Sequence, residues 1–254
     1  MSAARKPDDG HTLTVRDLQV VGAEGPLAGR LYKAAVDGKR DVLIVFFHGG
    51  GFVDGDLEDA DPFLRHLSEA SGYPVVLSST YTLATVKPFP AAAANLAAVC
   101  TLMARDRGAP RLAGQILLMP MLDPGLSTCS MREMPTCPDK AKVFDECAAA
   151  YRGYLPHAAD RSHPYASPLQ SSRLKNLPPA LILSIEDDPL RDEAEAYGGK
   201  LIQSGVPTTV RRLQAAQRLQ EPNARDTCAC RGQALSEIAN FVAGLDEEEP
   251  LASC

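Results

Sequence analysis

Apolar and polar positions along the chain predict β-strands that alternate with α-helices. Two early runs, 15–21 and 27–32, have strand composition and are separated by a turn rich in Gly and Pro, which predicts a hairpin. The run 42–47, VLIVFF, is apolar throughout, as is typical of a strand buried on both faces of a parallel sheet.

The same patterns continue to the end of the chain and predict an α/β fold with a mainly parallel sheet. Further strands are predicted at 74–79, 115–122, 180–185 and 208–213, and helices at 61–72, 91–107, 140–154, 188–204 and 232–245. The pattern loosens in the Pro-, Cys- and Met-bearing stretch 123–168, which we interpret as an insertion.

Composition narrows the class of protein to which the chain can belong and the cellular location that is expected for it. The chain has 254 residues, of which 45% are hydrophobic and 23% charged, as expected for a single globular domain over 1–254. The longest nearly apolar run, 91–104, is shorter than the ~20 residues that cross a bilayer, so no membrane span is expected. No apolar core follows Arg5 and Lys6, and we therefore expect a cytoplasmic protein without a secretory signal.

Charge and cysteine content argue against several partners. A net charge of −6, without a cluster of Lys and Arg, disfavours nucleic acid as a partner. The seven cysteines are scattered and odd in number, so reduced thiols are expected. Cys228 and Cys230 have no CxxC or His partner nearby, and neither a metal nor a cofactor is expected.

The run His48-Gly49-Gly50-Gly51-Phe52 follows the predicted strand 42–47 and is the first candidate site. It lacks the spacing of a P-loop or a dinucleotide fingerprint, and the acidic stretch 54–61 lacks the glycine of a calcium loop. A glycine-rich loop at a strand end can instead direct backbone N–H groups at a developing oxyanion.

Several sequence blocks, in their order and spacing along the chain, resemble the α/β-hydrolase fold-3 family, the hormone-sensitive-lipase-like group of bacterial esterases. The resemblance extends from about Val15 to Leu245. The blocks are His48-Gly49-Gly50-Gly51-Phe52, Tyr81-x-Leu83-Ala84, Pro88-Phe89-Pro90-Ala91-Ala92, Tyr165-Ala166-Ser167-Pro168-Leu169, Leu177-Pro178-Pro179-Ala180 and Asp188-Pro189-Leu190-Arg191-Asp192-Glu193.

The resemblance implies a carboxylic ester hydrolase that binds a small ester or acyl ligand. It assigns the oxyanion-hole N–H groups to Gly50 and Gly51, with His48 and Gly49 supporting the loop, and it makes Asp188 the acid that orients a catalytic His. From its position alone, Asp188 is a helix N-cap, and both roles can hold together. The resemblance also implies cap-like parts at 1–14 and 123–168, and a possible homodimer through the edge at the last strand.

The nucleophile of such an enzyme is missing. A serine esterase needs a GxSxG elbow, and the chain contains none. Ser127 has Gly125 two residues before it but Cys129 where the second glycine belongs, and we do not expect it to be the nucleophile. The family's elbow is expected directly before Asn95, where four alanines, 91–94, stand instead. About one helix and one central strand, on the order of 30 residues, are therefore absent.

The catalytic base is missing as well. The resemblance places it in the loop after the last strand, but the stretch 214–220 has no histidine, and none follows His163 anywhere in the sequence. His157 and His163 lie in the insertion, where surface or packing roles are expected. His11 and His66 belong to the N-terminal arm and to a predicted helix.

Three hypotheses follow. The protein is an ester hydrolase with an unrecognised nucleophile, a non-catalytic pseudoenzyme that binds a small acyl or hydrophobic ligand, or a degenerate deletion product that folds poorly. Because an empty position would leave backbone groups unpaired in the core, we expect the strand 115–122 to move beside 42–47 and close the sheet.

Overall fold

A computed structural model describes residues 13–22, 25–35, 42–49, 56–73, 76–79, 93–133, 140–214 and 229–247. Strands and helices alternate through most of these residues, as predicted. The strands are β1 Thr14–Val21, β2 Pro26–Lys33, β3 Ile44–Phe46, β4 Val76–Ser79, β5 Gln115–Leu118, β6 Ala180–Ile185 and β7 Thr208–Leu213. The helices are α1 Leu57–Ser71, α2 Ala93–Arg107, α3 Cys129–Glu133, α4 Lys140–Tyr154, α5 Arg191–Gln203 and α6 Ala229–Glu247.

The described strands form two sheets. The first has the order β1-β2-β4-β3, in which β1, β2 and β4 are antiparallel neighbours and β3 runs parallel to β4. The second has the order β5-β6-β7 and is parallel throughout. The α/β class and the predicted hairpin at the start of the chain are confirmed.

The prediction of a closed sheet is wrong. Within the described strands, β3 pairs with β4 and β5 pairs with β6, and no ladder joins β3 to β5. The two sheets instead share one apolar core on the face covered by α1 and α6. Side chains of both strands, including Phe46 and Leu118, pack against that core. The two sheets are therefore divided between β3 and β5, and they are connected there by side-chain packing rather than by backbone hydrogen bonds.

The division coincides with exposed apolar side chains on the first sheet. Leu43 is 48% exposed and Val45 is 49% exposed. Ile44 and Phe46, which alternate with them, pack on the core beneath α1 and α6. In the second sheet, α2 and α5 cover the opposite face, where Leu117 and Ile182 join a second core cluster. Among the described strands, β6 of the second sheet is buried at all six of its positions.

Helix α1 begins earlier than predicted. The Asp56 side chain accepts the N–H groups of Glu58 and Asp59, and Asp59 completes a capping box. Asp61, predicted as the N-cap, lies inside the helix, and its carboxylate accepts hydrogen bonds from Tyr32 Oη at 2.9 Å and Arg65 Nε at 2.7 Å. It joins α1 to β2 instead of capping the helix.

The segment 123–168, which the sequence pattern predicts to be an insertion, contains α3, α4 and a 3-10 turn at Ala158–Ser162. The α4 boundaries match the prediction, whereas α3 was not predicted. This segment has an apolar cluster of its own, in which Met131, Cys147 and Tyr151 are buried. Among the described residues, no helix is long and apolar enough to cross a membrane.

Candidate active site

His48 lies two residues after the end of β3 and is buried. Its Nδ1 is 2.8 Å from the carbonyl oxygen of Gly49, so the ring contacts the beginning of the glycine-rich loop. Gly49 is exposed, and a Cβ there would meet nothing within 4 Å. The predicted oxyanion donors, Gly50 and Gly51, lie outside the described residues.

Asp188 lies in the turn after β6, at the carboxyl end of the parallel strands, where catalytic side chains of open α/β sheets are found. Its Oδ1 accepts the N–H of Leu190 at 2.7 Å, and its carbonyl accepts the N–H of Arg191 at 3.0 Å. Helix α5 begins at Arg191, so Asp188 shapes the turn before the helix and is not its N-cap. The N-cap prediction is wrong.

Ser127 donates its hydroxyl to Asp123 Oδ2 at 2.7 Å. Asp123 also accepts the N–H of Gly125 at 3.0 Å and an amide N–H of Gln170 at 3.3 Å. Burial raises the pKa of Asp123, but these hydrogen bonds outweigh burial and hold the pKa below its ordinary value. Asp123 is therefore a weak base toward the Ser127 hydroxyl.

Three further described histidines, His66, His157 and His163, lie on the surface. His157 and His163 are exposed, as is His66 on α1. His163 Nδ1 accepts the backbone N–H of Tyr165 at 3.1 Å, and the two rings make an edge contact. The surface and packing roles expected of these residues fit this arrangement, while His11 lies outside the described residues.

A buried polar network lies beneath the carboxyl end of β5. Asn95, in the first turn of α2, donates its amide to the carbonyls of Met121 at 3.0 Å and Ala166 at 3.3 Å. Ser167 Oγ donates to the carbonyl of Leu122 at 3.3 Å. Helix α2, the segment after β5 and the end of the insertion are thus joined through buried hydrogen bonds.

Glu193 of α5 completes this network and is fully buried. Its Oε1 accepts the N–H of Leu122. Burial raises the pKa of Glu193 to about 8, and the charges of Asp123 and Asp188 act in the same direction. The carboxyl is consequently mostly protonated at neutral pH.

Sequence reasoning gave no role to Asn95, Asp123 or Glu193. A signal existed for two of them, because an amide in the Ala-rich run 91–98 and a carboxylate at an inward position of α5 are polar groups at apolar positions. Asp123 offered no such signal. Among the described residues, no group of three or more His, Cys, Asp or Glu side chains could hold a metal ion.

The described geometry defines an α/β protein with an acid at the end of β6 and a buried histidine at the end of β3. A family model described as the alpha/beta hydrolase fold matches residues 44–94 and 92–217. The chain belongs to this family. The match consists of two pieces that overlap at residues 92–94, directly before Asn95, where the resemblance predicts the elbow.

Known relatives agree with this assignment. Esterase LipI of Mycobacterium tuberculosis is 30% identical over 80% of this chain and 73% of its own length. The arylesterase of Saccharolobus solfataricus is 29% identical over 76% of this chain and 72% of its own. The solved hyperthermophilic esterase of Pyrobaculum calidifontis is 32% identical, with a TM-score of 0.81 over 92% of this chain and 86% of its own.

Proposed function

We propose that this protein is a carboxylic ester hydrolase by descent that binds a small ester or acyl ligand and turns it over slowly or not at all. The absent elbow carries the proposal, because no GxSxG is present and the family match breaks at residues 92–94. The division between β3 and β5 supports it, because it leaves no paired strand between the two sheets in the described residues.

The expected loss of rate is large. Removing members of a serine–histidine–acid triad lowers kcat by roughly ten-thousand-fold or more, and what is left comes from binding and oxyanion stabilisation. His48, Gly49, Gly50 and Gly51 are the oxyanion loop of this proposal, and Asp188 is the acid that keeps its position without a histidine to orient.

Ligand binding and turnover are tested separately. We expect p-nitrophenyl acetate and butyrate to be hydrolysed more slowly than by an active esterase by roughly ten-thousand-fold or more, while short esters raise the melting temperature. An absence of any shift across an ester panel would refute ligand binding. Turnover that disappears in Ser127→Ala but persists in the control Ser162→Ala, which changes an exposed serine, would identify Ser127 as a nucleophile and refute the inactive assignment.

We also propose that copies of the chain associate through β7, which lies at the edge of the second sheet among the described strands. Light scattering after size-exclusion chromatography should give the mass of a dimer. A monomer mass at all accessible concentrations would exclude this association.

A further inference from the structure

Segment 123–168 is hydrogen-bonded to the turn that carries Asp188. Ser130, the second residue of α3, is 2% exposed, and its hydroxyl donates to the carbonyl of Pro189 at 2.7 Å. Its backbone N–H donates to Asp192 Oδ2 at 2.8 Å, and the N–H of Asp192 donates to Ser130 Oγ at 3.1 Å. These hydrogen bonds join α3 to residues that lie 59 to 62 positions further along the chain.

Side-chain packing attaches the same turn to the same segment. Leu190 follows Pro189 in the turn and precedes α5. Its side chain packs against the apolar cluster in which Met131 of α3 and Tyr151 of α4 are buried. The turn is therefore held by segment 123–168 through an apolar side chain as well as through hydrogen bonds.

The hydrogen bond from Ser130 acts on the peptide group between Pro189 and Leu190. The carbonyl of this group accepts the Ser130 hydroxyl, and its N–H donates to Asp188 Oδ1 at 2.7 Å. A trans peptide group is planar, and its C=O and N–H point in opposite directions. Holding the carbonyl in place therefore also sets the direction of the N–H that the Asp188 carboxylate accepts.

We propose that Ser130 is a positioning residue of the candidate site: it fixes the Pro189–Leu190 peptide group and, through the N–H of that group, the orientation of the Asp188 carboxylate. This role rests on the proposed function, in which Asp188 is the acid of the site. In a complete triad the acid is hydrogen-bonded to the histidine that it orients. No histidine follows β7 in this sequence, and the support for the acid comes instead from α3.

The amide resonance of Leu190 reports the hydrogen bond to Asp188 directly. A backbone N–H that donates to a carboxylate makes a short, charge-assisted hydrogen bond, which moves its proton resonance downfield. We expect the Leu190 proton of the wild-type protein to lie downfield of its position in Asp188→Asn, because the neutral amide is a weaker acceptor. Two-dimensional NMR of the 15N-labelled protein measures this difference.

In Ser130→Ala the carbonyl of Pro189 loses its donor, and we expect the Leu190 proton to move most of the way to its position in Asp188→Asn. In the variant that combines both substitutions, Ser130→Ala should add little further movement, because its effect acts through Asp188. An equally large further movement in the combined variant would show that Ser130 affects Leu190 without positioning the acid, and would overturn the proposal.

Ser162→Ala is the matched control. The Ser162 hydroxyl also donates to a backbone carbonyl, that of Ala159, at an exposed position of segment 123–168. Its removal should leave the Leu190 resonance in place. The proposal is also overturned if Leu190 resonates at the same position in the wild-type protein and in Asp188→Asn, or if Ser130→Ala leaves it at the wild-type position.

If Ser130→Ala fails to fold, Ser130→Cys provides the second test. Its thiol has nearly the same shape as the hydroxyl but is a weak donor, so the Leu190 proton should move in the same direction, and an unmoved resonance would contradict the role of Ser130. The resonance does not depend on esters. A moved resonance without ester binding refutes the proposed function alone, whereas ester binding with an unmoved resonance refutes the positioning role alone.

Discussion

At the scale of single residues, Asn95 joins three segments of the chain through its buried amide. Its amide is fully buried and donates to the carbonyls of Met121 and Ala166, at 3.0 and 3.3 Å. These carbonyls lie in segments 26 and 71 residues away along the chain. One side chain thus positions α2 against both ends of the insertion.

Replacing the amide of Asn95 should destabilise the folded protein. In Asn95→Ala the two carbonyls lose their side-chain donor inside the protein, and we expect the free energy of unfolding to fall by about 2 kcal/mol. Urea denaturation measures the change. Arg107→Ala, at an exposed position of the same helix, should change stability by less than about 0.5 kcal/mol. Equal effects of the two substitutions would show that the Asn95 hydrogen bonds contribute nothing.

At the scale of elements, the packing of α5 on the second sheet depends on a close approach at Gly198. A Cβ at this position would lie 2.4 Å from Cγ2 of Val210 on β7 and 3.3 Å from Cδ1 of Ile182 on β6. At the neighbouring Gly199, a Cβ would meet nothing within 4 Å. Gly198 therefore allows α5 to approach the sheet closely, whereas the space around Gly199 would accept a side chain.

This difference predicts opposite effects of the same substitution. Gly198→Ala should lower the free energy of unfolding by about 1–3 kcal/mol, because α5 must shift away from the sheet. Gly199→Ala should raise it by about 0.5–1 kcal/mol through helix propensity alone. Thermal or urea unfolding of both variants measures the pair, and a stabilised Gly198→Ala would mean that α5 does not pack as closely as the structure indicates.

Sequence patterns predict most of the helices and strands, because the spacing of apolar residues in each element follows from which of its faces are buried. In β6, Leu181, Leu183 and Ile185 pack on one core cluster while Ala180 and Ile182 pack on the other, and the run 180–185 is apolar except for Ser184. Boundaries set by side-chain hydrogen bonds were less predictable. Asp56 caps α1 and Asp61 does not, and this choice depends on Arg30, Tyr32 and Arg65 as partners, which are distant or unmarked in sequence.

At the scale of the whole molecule, the main feature is the division between the two sheets. It follows β3, whose Val45 is exposed, and it is spanned by the shared core beneath α1 and α6. Sequence reasoning predicts a missing segment before Asn95, which stays a prediction, and it wrongly predicts that the sheet closes. Both sheets pack on α1 and α6 through contacts between residues distant in sequence, and local hydrophobic patterns do not predict such contacts.

The candidate site was predictable only in part. Motif resemblance led to His48 and Asp188, because both lie in contiguous blocks. The network of Asn95, Asp123 and Glu193 was missed, because its hydrogen bonds join residues far apart in sequence. Gly50 and Gly51 stay predictions from the resemblance.

The central claim, that the protein has the family's fold without a working nucleophile, is tested most directly by intact-mass measurement after treatment with a fluorophosphonate. This reagent forms a covalent adduct with an activated serine of the kind found in serine hydrolases. We predict that the protein keeps its unmodified mass, under conditions in which an active serine esterase is fully labelled. Stoichiometric addition of one phosphonyl group to any serine would contradict the account.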